Sequence, residues 1–106
     1  MEKRQHTRIA VRYRSHFTSK GPMVAGDGQL CDISSGGCRV ASGVGVNVGT
    51  ELELCIFSED DHNPLMVDGA VVRWARLQEF GVAFTKVRPP VQRRINDLCR
   101  KLVPLK

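Results

Sequence analysis

Apolar residues recur at every second position in several short runs of this chain, and a period of two admits strands and little else. Across 9–17, Ile9, Val11, Tyr13 and Phe17 alternate with Ala10, Arg12, Arg14 and His16, the pattern of a strand buried on one face. Leu52, Leu54 and Ile56 alternate with Glu51 and Glu53 in the same way. Turn-forming residues separate the runs. Gly21, Pro22, Gly26 and Gly28 read as a connection to a second strand over 30–34, Gly36 and Gly37 mark a turn, and Cys38 and Val40 flank Arg39 in a short third strand. The stretch 42–50, with Gly43, Gly45 and Gly49, reads as a loop.

The polar run from Ser58 to Pro64 ends the Leu52–Ile56 strand in a hairpin connection. A long strand is expected over 65–76, bent at Gly69, with its partner over 80–84 after a turn near Gln78. Pro89 and Pro90 then open a helix, expected over 89–103, in which Val91, Ile95, Leu98, Cys99 and Leu102 recur at helical spacing opposite Gln92, Arg93, Asn96 and Lys101. Six or so strands and one terminal helix predict a mainly β protein: a small antiparallel β-barrel with a C-terminal α-helix packed on it. At 106 residues and 42% hydrophobic, the chain is expected to be a single domain over 1–106, able to bury one core without metals or disulfides.

Several function classes lose support here. No apolar run is long enough to span a bilayer, and the basic start from Met1 to Arg8 is not followed by the apolar stretch of a secretory signal; a cytoplasmic location and no membrane insertion are expected. Cys31, Cys38, Cys55 and Cys99 show no C-x-x-C spacing, so reduced core thiols are expected rather than a zinc site. His6, His16 and His62 form no triad or ligand pattern with any Ser or Cys, so the chain is not expected to be an enzyme. The net charge of +5 is unevenly placed, with Lys3, Arg4, Arg8, Arg12 and Arg14 crowded at the start. Such an end attracts polyanions in general, and charge alone does not choose among nucleic acid, an anionic membrane surface and a small phosphate ligand.

Two stretches narrow the choice. In Cys31-Asp32-Ile33-Ser34 the pleat sends Cys31 and Ile33 toward the core and Asp32 and Ser34 side by side to the solvent face. A carboxylate can accept from the ring N–H and exocyclic amine of a guanine, a hydroxyl adds a bond, and an arginine can fork onto the opposite edge. Gly36 and Gly37 permit positive φ or a close approach to the backbone. The same residues also suit an Asx turn that merely closes a hairpin. Arg4 and Arg8 lie about 13 Å apart in an extended segment and about 6 Å apart in a helix, and their planar forks match phosphate oxygens and guanine edges. A solvated basic tail is the commoner fate of such a run.

Taken together, Arg-x-x-x-Arg at Arg4 and Arg8 followed by Asp-x-Ser-x-x-Gly at Asp32, Ser34 and Gly37 resembles the signature of the PilZ domain, a bacterial receptor module for cyclic di-GMP. The resemblance extends to the Val71-Val72-Arg73-Trp74 and Phe80-Gly81-Val82-Ala83-Phe84 strands and the terminal helix. It implies a six-stranded barrel over 9–86 and an N-terminal arginine loop, 1–8, that folds over the ligand. Arg4 and Arg8 would clamp phosphate and guanine, Asp32 and Ser34 would read a guanine edge, and Gly36 and Gly37 would form the turn. In some similar domains the residue before the first arginine, here Lys3, influences whether one ligand or a stacked pair is bound, and a pair placed as Trp74 and Arg76 stacks on the ligand. Strand parity leaves open whether Trp74 is instead a core residue and Arg76 a solvated strand end.

The implied role is a sensor in which cyclic di-GMP orders the N-terminal loop and the changed surface engages a protein partner in trans, with a monomer or weak dimer expected. A motility or biofilm process would be the output. One alternative is a PilZ-like adaptor that binds no nucleotide. Another is a basic barrel for single-stranded nucleic acid, for which one Trp, one Tyr and four Phe are thin provision; no nucleic-acid partner is expected.

Overall fold

The computed structural model describes residues 8–21, 23–58 and 63–101. Six strands, β1 (Ile9–Ser19), β2 (Ala25–Ser34), β3 (Gly37–Ala41), β4 (Glu51–Phe57), β5 (Leu65–Arg76) and β6 (Glu79–Lys86), precede one helix, α1 (Pro89–Lys101). Every neighbouring pair is antiparallel, and the order β1-β2-β3-β6-β5-β4 closes on itself as β4 pairs back with β1. Closure removes the free sheet edges that an open six-stranded sheet would leave.

The interior follows the period of two. Ile9, Phe17, Leu52, Leu54 and Ile56 are all at most 1% exposed, while Ala10, Arg14 and His16 face out. Phe17 on β1 and Phe80 on β6, from opposite sides of the ring, meet edge to face with centroids 5.1 Å apart and planes at 82°. Each fully buried side chain of this kind contributes about 1.5–3 kcal/mol, and the rings add an aromatic contact across the barrel axis. Ser15 shares the inward parity of β1 and is satisfied there, its hydroxyl donating to the Gly28 carbonyl at 3.0 Å.

Three expectations change on the second strand. Gly26 and Gly28 belong to β2 rather than to a connection. A Cβ on Gly26 would stand 2.8 Å from Val44 Cγ2 and 2.9 Å from Phe17 Cζ, and one on Gly28 would stand 2.6 Å from the Ala41 carbonyl oxygen; here glycine serves close packing, not a turn. Leu30 pairs with Val40 but Asp32 with Arg39, so Cys31 is an extra residue bulged out of the ladder. The bulge lets Leu30 and Ile33 both point inward at 0% exposure and leaves Cys31 half-buried instead of in the core. Cys55 and Cys99 are likewise half-buried, so Cys38 alone of the four free thiols meets the expectation of a core cysteine.

The long β5 carries register shifts against β6 between Gly69 and Ala70, where the bend is expected, and again between Val72 and Trp74. The β5–β6 turn passes through Gln78, whose φ of 67° is a left-handed conformation uncommon for a residue other than glycine. Pro90 follows Pro89 into the first turn of α1, where missing N–H groups cost no helical bond. Helix α1 packs on β2 and β5 through Ile95, which is fully buried, with Val91, Leu98 and Cys99 beside it. Polar ties fix its azimuth. Gln92 Nε2 donates to the Ser35 carbonyl at 3.0 Å, and Arg94 Nη2 donates to the Asn63 carbonyl at 2.6 Å. The last residues expected in the helix, 102 and 103, lie outside the described residues.

Candidate functional site

The turn after β2 brings the second motif together. Ser34 accepts from the Gly36 N–H at 3.2 Å and donates to the Gly37 carbonyl at 3.3 Å, so its hydroxyl is spent on the hairpin. Ser34 is 8% exposed and Asp32 is 4% exposed, which corrects the expectation that both lie open on a solvent face. Both keep the outward parity; what covers Asp32 is side chain, not core. Gly37 is required because a Cβ there would stand 2.3 Å from the Val82 carbonyl oxygen on β6, and the neighbouring Gly36 carbonyl accepts from Phe84 N–H at 2.8 Å. The role of Gly37 is close strand approach, not positive φ.

Two guanidinium groups bracket the buried carboxylate of Asp32. Arg8 Nη1 donates to Oδ1 at 2.8 Å, and Arg39 Nε donates to Oδ2 at 3.0 Å. Arg8 thus joins the first motif to the second across 24 residues of chain. Arg39 continues the pattern, its Nη1 donating to Glu79 Oε1 at 3.0 Å, while Arg76 Nη1 lies 3.9 Å from Glu79 Oε2. The hydrogen bonds it donates to the carboxylates of Asp32 and Glu79 hold the Arg39 guanidinium above its usual pKa. Beneath this layer, burial and then the negative charge of Asp32 push the Cys38 thiol well above the ordinary thiol range, so it stays protonated at neutral pH.

Strand register explains why these groups meet. Ala10 pairs with Asp32, Asp32 with Arg39, Arg39 with Gly81, and Gly81 with Trp74, a single row across five strands on the outside of the barrel. Small residues stand at Ala10 and Gly81. The second leaves room for Trp74, whose indole lies over the Gly81 backbone and outside the core cluster. Arg76 Cζ sits 5.1 Å from the centre of that ring, a cation–π contact. The alternative of a core tryptophan is thereby excluded, and Arg76, 74% exposed along its side chain, is restrained on one face by the indole.

The structure therefore brings together Arg8, Asp32, Ser34, Gly36, Gly37, Trp74 and Arg76, while Lys3 and Arg4 lie outside the described residues. Reasoning from sequence passed over Arg39 and Glu79. The first was within reach: counting outward from the Ser35–Gly36 turn pairs Ser34 with Gly37, Ile33 with Cys38 and Asp32 with Arg39. Chemically, the row offers an aromatic face, a carboxylate with acceptor oxygens and three guanidiniums against two carboxylates, a combination suited to a planar base carrying phosphate.

Comparison with known proteins places the fold. No curated protein matches the chain in sequence. Among solved structures, the Bacillus subtilis inhibitor of motility MotI/DgrA superposes with a TM-score of 0.75 at 19% identity, over 95% of this chain and 51% of that one; this chain spans about half of that protein's length. The PilZ domain of YcgR from Escherichia coli, solved with c-di-GMP, gives 0.74 at 15% identity over 95% and 92% of the two chains. The PilZ domain of CeSA from a cellulose-synthesizing bacterium gives 0.69 at 14% identity over 89% and 95%. The family model for the PilZ domain matches residues 2–101, and with the closed six-stranded barrel and terminal helix this establishes that the chain belongs to the PilZ domain family.

Proposed function

We propose that this protein is a cyclic di-GMP receptor that passes the level of the second messenger to a protein partner. The observation that carries the reading is the Arg8–Asp32 bond: it draws the two halves of the motif into one place, on the barrel face that also holds Trp74 and Arg76. The YcgR domain solved with c-di-GMP supports the choice of ligand.

In this reading Arg8 and Asp32 satisfy one another before ligand arrives. A guanine edge supplies N–H donors that replace Arg8 on Asp32 Oδ1, and the released guanidinium turns to a phosphate or to the acceptor edge of the base. Arg4 and Lys3 join it from the N-terminal segment 1–8, which closes over the ligand as a switch loop. Ser34, Gly36 and Gly37 keep the turn in the shape that presents Asp32. Trp74, with Arg76 above it, offers a stacking surface worth about 1–3 kcal/mol per base. The ordered loop then forms part of the surface that the partner recognises in trans.

Calorimetric titration of the purified protein with cyclic di-GMP tests the reading. Binding in the micromolar range or tighter, abolished by Arg8→Ala and by Asp32→Ala, is the expected result. No heat at ligand concentrations well above micromolar would overturn it and leave the nucleotide-free adaptor, a role in keeping with the likeness to an inhibitor of motility.

A further inference from the structure

Five charged side chains on the barrel face alternate in sign with no break: Arg8, Asp32, Arg39, Glu79, Arg76. Each carboxylate divides its two oxygens between two arginines. Asp32 gives Oδ1 to Arg8 and Oδ2 to Arg39, and Glu79 gives Oε1 to Arg39 and faces Arg76 with Oε2. Arg39 is the shared member, reaching the two acids with Nε and Nη1 of one rigid plane. From this geometry we infer that Arg39 and Glu79 are positioning residues that couple the Asp32 half of the site to the Trp74–Arg76 half, so that exchange of partners at Asp32 is registered at the indole.

The inference follows from the rigidity of the connector. Asp32 is held in place by strand pairing and burial, with 5% of its side chain exposed, so its orientation depends on the two guanidiniums that cover it. When Arg8 leaves, Arg39 is the charged partner that remains among the described residues, and a planar guanidinium cannot swing toward Oδ2 without withdrawing Nη1 from Glu79. The slack lies at the far end, where Arg76 and Glu79 are 3.9 Å apart and Arg76 rests on the ring of Trp74. A change in Glu79 is thus taken up as a change in how Arg76 covers the indole. Neither Arg39 nor Glu79 belongs to the two-part motif, and neither has to touch the ligand for this coupling.

The ligand arm of the test rests on the receptor reading, whereas the spectroscopic arm does not. Trp74 is the only tryptophan in the chain, so its emission reports the indole directly. In ligand-free protein, Glu79→Gln and Arg39→Met are each expected to shift Trp74 emission in the same direction, and the double variant to add nothing further. Arg39→Lys, a point charge that meets one acid at a time, is expected to fall between Arg39→Met and wild type, and carries the test should Arg39→Met fail to fold. With cyclic di-GMP, Arg39→Met is expected to weaken binding by about tenfold or more, as for loss of a charge-assisted hydrogen bond, with Arg39→Lys intermediate. Trp74 emission that responds to Glu79→Gln but not to either Arg39 variant overturns the coupling, as does wild-type affinity in Arg39→Met. Failure of the wild-type protein to bind cyclic di-GMP overturns the receptor reading instead, and the emission results then decide the coupling on their own.

Discussion

Trp74 lies so close to the backbone of Gly81, its partner across β5 and β6, that a Cβ on Gly81 would stand 2.2 Å from the indole Nε1. The fit constrains both residues. Gly81 is paired on its other side with Arg39, so the indole rests on the strand that separates it from the Asp32–Arg39 pair. A methyl group at 81 cannot be accommodated by the backbone and must displace the ring.

Gly81→Ala is therefore expected to move Trp74 off the sheet, to separate it from Arg76 and to cost about 1–3 kcal/mol as overpacking. The checks are Trp74 emission and the urea midpoint. A variant with unchanged emission would show that the indole does not need the glycine.

Removal of the members of the Asp32 cluster should be unequal. Arg8 and Arg39 are 46% and 37% exposed along their side chains, against 5% for Asp32. Loss of the acid frees Arg8 to water and leaves Arg39 on Glu79, at little cost, but loss of Arg39 leaves the buried carboxylate with Arg8 as its one charged partner among the described residues. Asp32→Asn is expected to destabilise by about 1 kcal/mol and Arg39→Met by about 2–3 kcal/mol. Urea unfolding of both variants measures the difference, and the reverse order would mean that Asp32 is more hydrated than its burial implies.

The contact of Phe17 with Phe80 spans the interior from opposite sides of the ring. Phe80→Ala is expected to destabilise by about 3–5 kcal/mol through lost burial and an unfilled cavity, and Phe80→Leu by distinctly less. Equilibrium unfolding gives both values; near-equal losses would point to a change in the fold of the variant and not to a cavity.

Much of this arrangement is legible in the sequence, and the exceptions share a cause. Runs such as Leu52, Leu54 and Ile56 announce strands because burial on one face imposes the period of two, and the pairing of Asp32 with Arg39 follows by counting from a two-residue turn. The approach of Arg39 to Glu79 does not follow, because β3 and β6 are not consecutive and no turn sets their register. Gly26 and Gly28 misled for a related reason. A glycine marks either a turn or a close approach, and the atoms that decide, on Phe17, Val44 and Ala41, are remote in the chain. Cys31 was misplaced because a bulge breaks parity without any residue type that signals it.

Alkaline pH should weaken the fold through Cys38. Its thiol is fully enclosed, and burial, followed by the charge of Asp32, raises its pKa far above the ordinary 9.0. In the unfolded chain the same thiol ionises near that ordinary value, so above it the unfolded state loses a proton that the folded state retains. Stability is then complete below about pH 9 and declines as pH rises toward the folded pKa, at up to about 1.4 kcal/mol per pH unit for one group. Burial also raises Cys55 and Cys99, but both are half-exposed to solvent and their share is smaller. Urea unfolding at pH 8 and at pH 10.5 or so is expected to show a steeper loss in wild type than in Cys38→Ala, although the variant starts from lower stability because of its cavity. Parallel losses in the two proteins would assign the alkaline transition to other groups and show that Cys38 ionises in place.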